Sequence, residues 1–182
     1  GLLGPILAEG SARAAQRWGK GAADYLITCK NEEAPAHMPQ AKRSLALIYA
    51  VNPFGADHQS SEHDWMYEKG MATDLYLDRL ATMGLNEAQE PMSLGAEKVR
   101  FAYLGQAFYS MMDTLTICQF VYGPAWCLFG PVETVNMVKA VTGWDVSLEE
   151  LLQVGIRRIN LMRTFNAREG FSRAQDNLPE KF

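Results

Sequence analysis

The feature that most constrains this chain is a run from about Leu94 to Phe120. In it Val99, Ala102, Phe108, Met111, Met112 and Leu115 fall on one broad apolar face at helical spacing. A helix that long and that apolar is stable only when other elements cover it, so the rest of the chain is expected to pack around it. Near its C-terminal end stands Asp113-Thr114-Leu115-Thr116-Ile117-Cys118, an acid and a thiol five residues apart. From Thr114 to Val132 no charge occurs over 19 residues, about the length that spans a bilayer. Gly123-Pro124 and Gly130-Pro131 interrupt it, so the stretch reads as the buried end of a helix followed by buried turns, with no membrane span.

The remaining elements follow from spacing and breakers. Leu7, Ser11, Ala14, Ala15 and Trp18 predict a first helix over about Pro5 to Trp18. Tyr25 to Lys30 is the only plausible strand, and Asn31 to Gln40, with two prolines, reads as an extended crossing. Ser44 to Val51 predicts a buried helix broken by Asn52-Pro53-Phe54-Gly55, and Leu75, Leu77, Leu80 and Met83 mark another. Pro131 opens a helix through Val141, and the capping box Ser147-Leu148-Glu149-Glu150 opens a last one to about Ala167. The expected fold class is therefore all-α and multihelical. With 182 residues, 48% of them hydrophobic, the chain can form one domain or two small subdomains, about 1–90 and 91–182.

A net charge of −4 and no basic patch exclude a dedicated nucleic-acid or anionic-membrane binder. Three cysteines without a CxxC pair imply neither a disulfide framework nor a self-contained zinc site, and point to a reducing, cytoplasmic setting. Gly1 is not an initiator residue, which points to a longer parent chain, and Gly1 to Gly10 has no secretory pattern.

Two places carry candidate chemistry. Cys118 could ligate iron or zinc with Asp113 holding a cofactor nearby, although free cysteines are more often core residues. His58 follows Gly55-Ala56-Asp57, a turn in which backbone can approach a ligand, and its imidazole can move a proton near neutral pH. His58, Glu62, His63 and Asp64 are ligand types, but they match no usual zinc spacing, so a mononuclear metal hydrolase ranks low and Glu62 to Asp64 read as a solvated polar loop. Arg157, Arg158, Arg163, Arg168 and Arg173 read as a solvated or ion-paired face. Phosphate-cradling glycine loops and the GxSxG nucleophile elbow are absent.

Taken in order, several stretches resemble the tungsten-containing aldehyde:ferredoxin oxidoreductase family in its C-terminal helical domains. They are Leu7-Ala8-Glu9-Gly10, Tyr49 through His58, Asp113 through Cys118, Gly143-Trp144-Asp145, and Phe165-Asn166-Ala167-Arg168-Glu169-Gly170-Phe171 leading to Asp176 through Phe182. The resemblance implies an oxidoreductase that converts an aldehyde-like substrate to a carboxylic acid at a tungsten or molybdenum bis-pterin. Electrons would leave through a 4Fe-4S cluster to ferredoxin. In the family's Asp-x-x-Gly-Leu-Cys stretch the Asp binds a pterin and the Cys is a cluster ligand, so Asp113 and Cys118 inherit those roles. Asn52 and Gly55 would line the cofactor pocket, with His58 as proton carrier.

The Gly-Leu of that motif is Thr116-Ile117 here, and a usual Asp-Pro-Arg-Gly stretch appears as Met38-Pro39-Gln40-Ala41. These departures point to a divergent member whose substrate differs from a simple aldehyde. The Cys-x-x-Cys-x-x-x-Cys that supplies the other cluster ligands does not occur in these residues. By itself the chain is therefore expected to hold neither cluster nor tungsten, and its first partner would be an N-terminal pterin-binding domain of the same protein. Apolar surface left bare would favour a homo-oligomer. A helical binding or scaffold module without a redox centre is the alternative of a different class.

Overall fold

The computed structural model describes residues 1–182. Its elements are helices α1 (Leu3–Ala8) and α2 (Ser11–Trp18), strands β1 (Thr28–Cys29) and β2 (Glu32–Glu33), and helices α3 (Arg43–Val51), α4 (Asp74–Thr82), α5 (Ala96–Leu115), α6 (Pro131–Thr142) and α7 (Leu148–Arg168). The all-α, multihelical expectation holds. No helix is long and apolar enough to cross a membrane.

Three boundaries differ from the sequence reading, each for a backbone reason. The first helix is two, because Gly10 takes φ +87°, which a helix cannot accommodate. The single strand is half of a small antiparallel hairpin, Thr28 opposite Glu33 and Cys29 opposite Glu32, turned by Lys30 and Asn31, both with positive φ. The long helix is shorter than its apolar pattern and ends at Leu115. There Thr116 enters the left-handed region (φ 57°, ψ 34°), and the Ile117 amide closes back on the Met112 carbonyl at 3.1 Å. Asp113 stays in the last turn, whereas Cys118 lies outside the helix.

Helix α5 is the centre of the molecule because every apolar cluster uses it. Phe101 packs with Met66, Tyr67, Leu80 and Leu85, and Ala102 with Leu45, Ile48 and Tyr49 of α3. Phe108, Met111 and Met112 pack with Val138 of α6 and Leu151 and Leu152 of α7. Packing thus runs across residue 90, and Leu178 and Phe182 return to the α3 cluster. A buried ion pair fixes the start of α5. Lys98 Nζ lies 3.0 Å from Asp64 Oδ2, with the two side chains 1% and 0% exposed, and the same oxygen accepts from the Ser44 amide at 3.0 Å. Removing either charge would strand the other in an apolar surround, so this pair holds the 61–67 segment against α5.

The closest backbone approach is where α7 crosses α5. A Cβ at Gly155 would fall inside the Ala107 carbonyl and 2.9 Å from the Met111 nitrogen, and Ser110 Oγ donates to the Gly155 carbonyl at 2.9 Å. Gly155→Ala is expected to force the helices apart and lower stability by about 3 kcal/mol, read as a fall in the urea midpoint. An unchanged midpoint would show that the two helices do not meet there.

Candidate functional site

The turn after α5 is a small rigid loop. Val121 and Tyr122 amides both donate to the Cys118 carbonyl at 3.0 Å, and the Gly123 amide donates to the Phe129 carbonyl at 2.9 Å. Arg79 of α4 clamps the loop, with Nη1 donating to the Cys127 carbonyl at 2.9 Å and Nη2 to that of Leu128 at 3.2 Å. The Gly123-Pro124 and Gly130-Pro131 turns are buried as expected, but the residues between and before them turn large apolar side chains outward: Phe120 is 77%, Trp126 60% and Leu128 72% exposed. Cys118 is exposed among them, so it is not the core cysteine that residue type alone favours. Cys29 is buried, and Cys127 is partly buried with its thiol directed to the Gln119 carbonyl at 3.1 Å. Burial pushes the Cys127 thiol up to about 11, with the nearby Glu62 adding to the effect.

Asp113 Oδ2 is paired with Arg158 Nη1 at 3.0 Å, with both side chains about a third exposed, and Arg163 is paired with Asp176 at 2.6 Å. Two of the five C-terminal arginines are thus ion-paired, as the sequence suggested.

A second constellation faces the same loop. Asn52 is buried and its side chain is fully engaged. Nδ2 donates to the Gly55 carbonyl at 3.0 Å and to Ser60 Oγ at 3.1 Å, while Oδ1 accepts from Gln106 at 3.4 Å. Gly55 (φ +103°) sits against the β1–β2 hairpin, where a Cβ would strike the Cys29 carbonyl and stand 2.7 Å from Glu32 Cβ. The glycine is required by contact with this protein's own backbone. Between them these two residues fix the turn that delivers His58 to a cavity of about 330 Å³, lined by His37, His58, Ser61, Glu62, His63 and Tyr109 together with the 119–127 loop.

The three histidines stand close together. His37 stacks on His58 with ring centroids 4.4 Å apart, and the His63 centroid is 6.0 Å from that of His58. Lys42 Nζ lies 2.7 Å from His37 Nδ1 and 2.9 Å from His63 Nδ1, and His63 Nε2 lies 3.0 Å from the His58 carbonyl. An ammonium only donates, so both Nδ1 atoms accept and His63 carries its proton on Nε2. Burial, then Lys42 and His58, lower the pKa of His37; burial brings His63 down to about 4, so both rings are neutral at neutral pH. With Lys42 on two of the ring nitrogens, no group of three or more His, Cys, Asp or Glu converges to hold a metal ion.

The segment read as a solvated loop is the reverse. Asp64 is fully buried, and Glu62 is 4% exposed with Tyr109 Oη donating to its Oε1 at 2.9 Å. Burial pushes Glu62 up to about 7, although Tyr109 and Tyr67 and the Ala125 and His63 amides favour its ionised form. Sequence reasoning set Glu62 aside as a solvated ligand type and missed Tyr109, His37 and Lys42 as site residues. Tyr109 sits 47 positions from Glu62, a distance that no local pattern reports.

The all-α frame agrees with the comparisons. A family model described as aldehyde ferredoxin oxidoreductase, domains 2 and 3, matches residues 1–182. The tungsten-containing aldehyde ferredoxin oxidoreductase of Thermococcus kodakarensis is 30% identical over 99% of this chain and 27% of its own length. Those of Pyrococcus horikoshii and Pyrococcus furiosus are each 28% identical over 99% of this chain, and 26% and 27% of their own lengths. The chain belongs to the aldehyde ferredoxin oxidoreductase family. It spans about a quarter of the length of these curated relatives.

Two predictions arise here. Thr116 occupies the position at which the motif has Gly, and a β-branched residue at φ 57° is strained. Thr116→Gly is therefore expected to raise the stability of the chain by about 1 kcal/mol, measured by denaturant unfolding; a loss would show that the Thr116 side chain makes a compensating contact. The second concerns Glu62, whose folded pKa of about 7 lies above the ordinary 4.5 of a free glutamate. The native state then holds the proton longer, so this contribution is full below pH 4.5 and is lost as pH rises through 7, by about 3 kcal/mol. His63 acts in the opposite direction between about 4 and 6.5, so the difference between Glu62→Gln and the parent isolates Glu62. That difference is expected to grow in the variant's favour from pH 5 to 8 in thermal unfolding; a flat difference would refute the raised value.

Proposed function

We propose that this chain forms the helical part of an oxidoreductase that oxidises an aldehyde-like substrate to a carboxylic acid at a tungsten or molybdenum bis-pterin. Electrons pass through a 4Fe-4S cluster to ferredoxin, in a reducing, cytoplasmic setting. The observation that carries this reading is the exposed Cys118 thiol, presented outside α5 on a loop locked by its own amides and by Arg79. A ligand to a shared cluster has to project from its own domain. The exposed Phe120, Trp126 and Leu128 around it form a surface suited to burial against a further domain that brings the other three thiolates.

The residues present fit such groups in part. Cys118 offers one thiolate, and Cys29 and Cys127 are turned inward, so the chain supplies one cluster ligand and not a cluster. Asp113 is oriented by Arg158, and its carboxylate, 38% exposed, remains open to N–H donors of a pterin. When bound, the pterin metal supplies two-electron oxidation and the cluster a one-electron exit. His58 takes up a proton released as the acid forms, and Asn52 and Gly55 hold the turn that aims it. The neutral His37 stacked on it keeps that imidazole in place.

In the full-length protein, Cys118→Ser is expected to lose most of its cluster iron and the associated visible absorption while its far-ultraviolet circular dichroism is retained. Unchanged iron content would end the assignment.

A further inference from the structure

The cavity holds one acid that the roles above do not use. Glu62 and Asp64 are two residues apart and both buried, yet their settings differ in kind. Asp64 has a countercharge, Lys98 Nζ at 3.0 Å. Glu62 has no cation. Tyr109 faces it from α5, Tyr67 from the turn after it and Cys127 from the 118–130 loop, all three neutral, besides the amides of His63 and Ala125. The basic residues nearby are engaged elsewhere: Lys98 with Asp64, Arg79 with two loop carbonyls and Lys42 with His37 and His63.

The cradle is shaped by missing side chains. A Cβ at Gly123 would stand 3.5 Å from Glu62 Oε1, and one at Gly105 would stand 2.7 Å from Ser61 Oγ. The Ser61 hydroxyl, buried on the same cavity wall, makes no hydrogen bond within the protein. A carboxylate without a countercharge, beside an unpaired hydroxyl and across a cavity from His58, is arranged to change its proton and not to keep a charge.

We propose that Glu62 is the proton acceptor behind His58, taking the proton from the imidazolium across the cavity and holding it as a neutral carboxylic acid against Tyr109. One proton leaves a His58 ring nitrogen and one carboxylate becomes an acid. Tyr109 keeps its own proton in both states, because burial and Glu62 place its hydroxyl pKa well above the usual value. The cavity wall loses a charge when it is loaded, and Glu62 then releases the proton towards solvent when His58 is again neutral. This rests on the reading of His58 as the group that takes up the reaction's proton; Glu62 is a positioning and proton-holding residue and touches no substrate.

The test needs no cofactor. In the 182-residue chain, the infrared carbonyl stretch of a protonated carboxyl, taken as parent minus Glu62→Gln, is expected to titrate near pH 7. Tyr109→Phe, which removes the hydroxyl that favours the ionised form, is expected to move that midpoint upward. The His58 ring resonances, followed by nuclear magnetic resonance, are expected to show a step as Glu62 changes its charge near pH 7, and Glu62→Gln is expected to abolish that step. A carboxyl band already lost by pH 5 or persisting unchanged to pH 9 would overturn the proposal, as would a step in the His58 resonances that Glu62→Gln leaves in place. A residue that only buttresses Tyr109 would put no pH-dependent step near pH 7 into the His58 resonances. Because these spectra involve no iron, their failure is distinguishable from retention of iron in Cys118→Ser, which bears on the oxidoreductase reading alone.

Discussion

The structure depends on how closely α7 can approach α5. At Gly155 there is no room for even a methyl group, and the Ser110 hydroxyl bonds the glycine carbonyl directly. That contact sets the spacing at which Leu151 and Leu152 reach Phe108, Met111 and Met112. It also brings Arg158, one turn further along α7, to Asp113. The position of the acid at the end of α5 is therefore a result of helix packing. A wider crossing would loosen the core and the candidate site together.

The same helix organises the electrostatics. Its first turn buries Lys98 against Asp64, and its middle presents Tyr109 to Glu62. The two acids occupy one short segment but have opposite properties, since one has a countercharge and the other has only hydroxyls and amides. Lys42 has a comparable effect on the histidines. By donating to His37 and His63 it fixes both as neutral rings, and leaves His58 as the histidine of the cavity to which it makes no bond. The cavity is a place where charge is scarce, which makes the movement of a single proton matter energetically.

Much of the frame was legible in the sequence. The helices at Arg43–Val51, Asp74–Thr82, Pro131–Thr142 and Leu148–Arg168 follow from apolar spacing and from breakers or caps at their ends, because those signals are local. The errors arose where a backbone torsion or a distant partner decides. Gly10 split a helix whose apolar spacing was continuous, and Thr116 stopped α5 although its residue type gives no such warning. Residue type alone makes Glu62 to Asp64 a solvated segment, because charged residues usually are exposed. Only the arrival of Lys98 and Tyr109, 34 and 47 positions away, makes their burial tolerable.

By itself, the sequence determined the all-helical class, the central apolar helix, the family resemblance, and the identity of Asp113, Cys118 and His58 as residues to examine. The first two rest on residue type and on spacing within a few turns, and the resemblance and its residues on the order of short stretches from Leu7 to Phe182. Only the tertiary structure decided that Cys118 projects outward among Phe120, Trp126 and Leu128, that Asn52 and Gly55 hold a turn against a hairpin, and that three histidines share a cavity with an uncompensated acid. The physical reason is that exposure and charge state are set by what packs opposite a side chain, and in this fold those partners come from other elements, in most cases far along the chain.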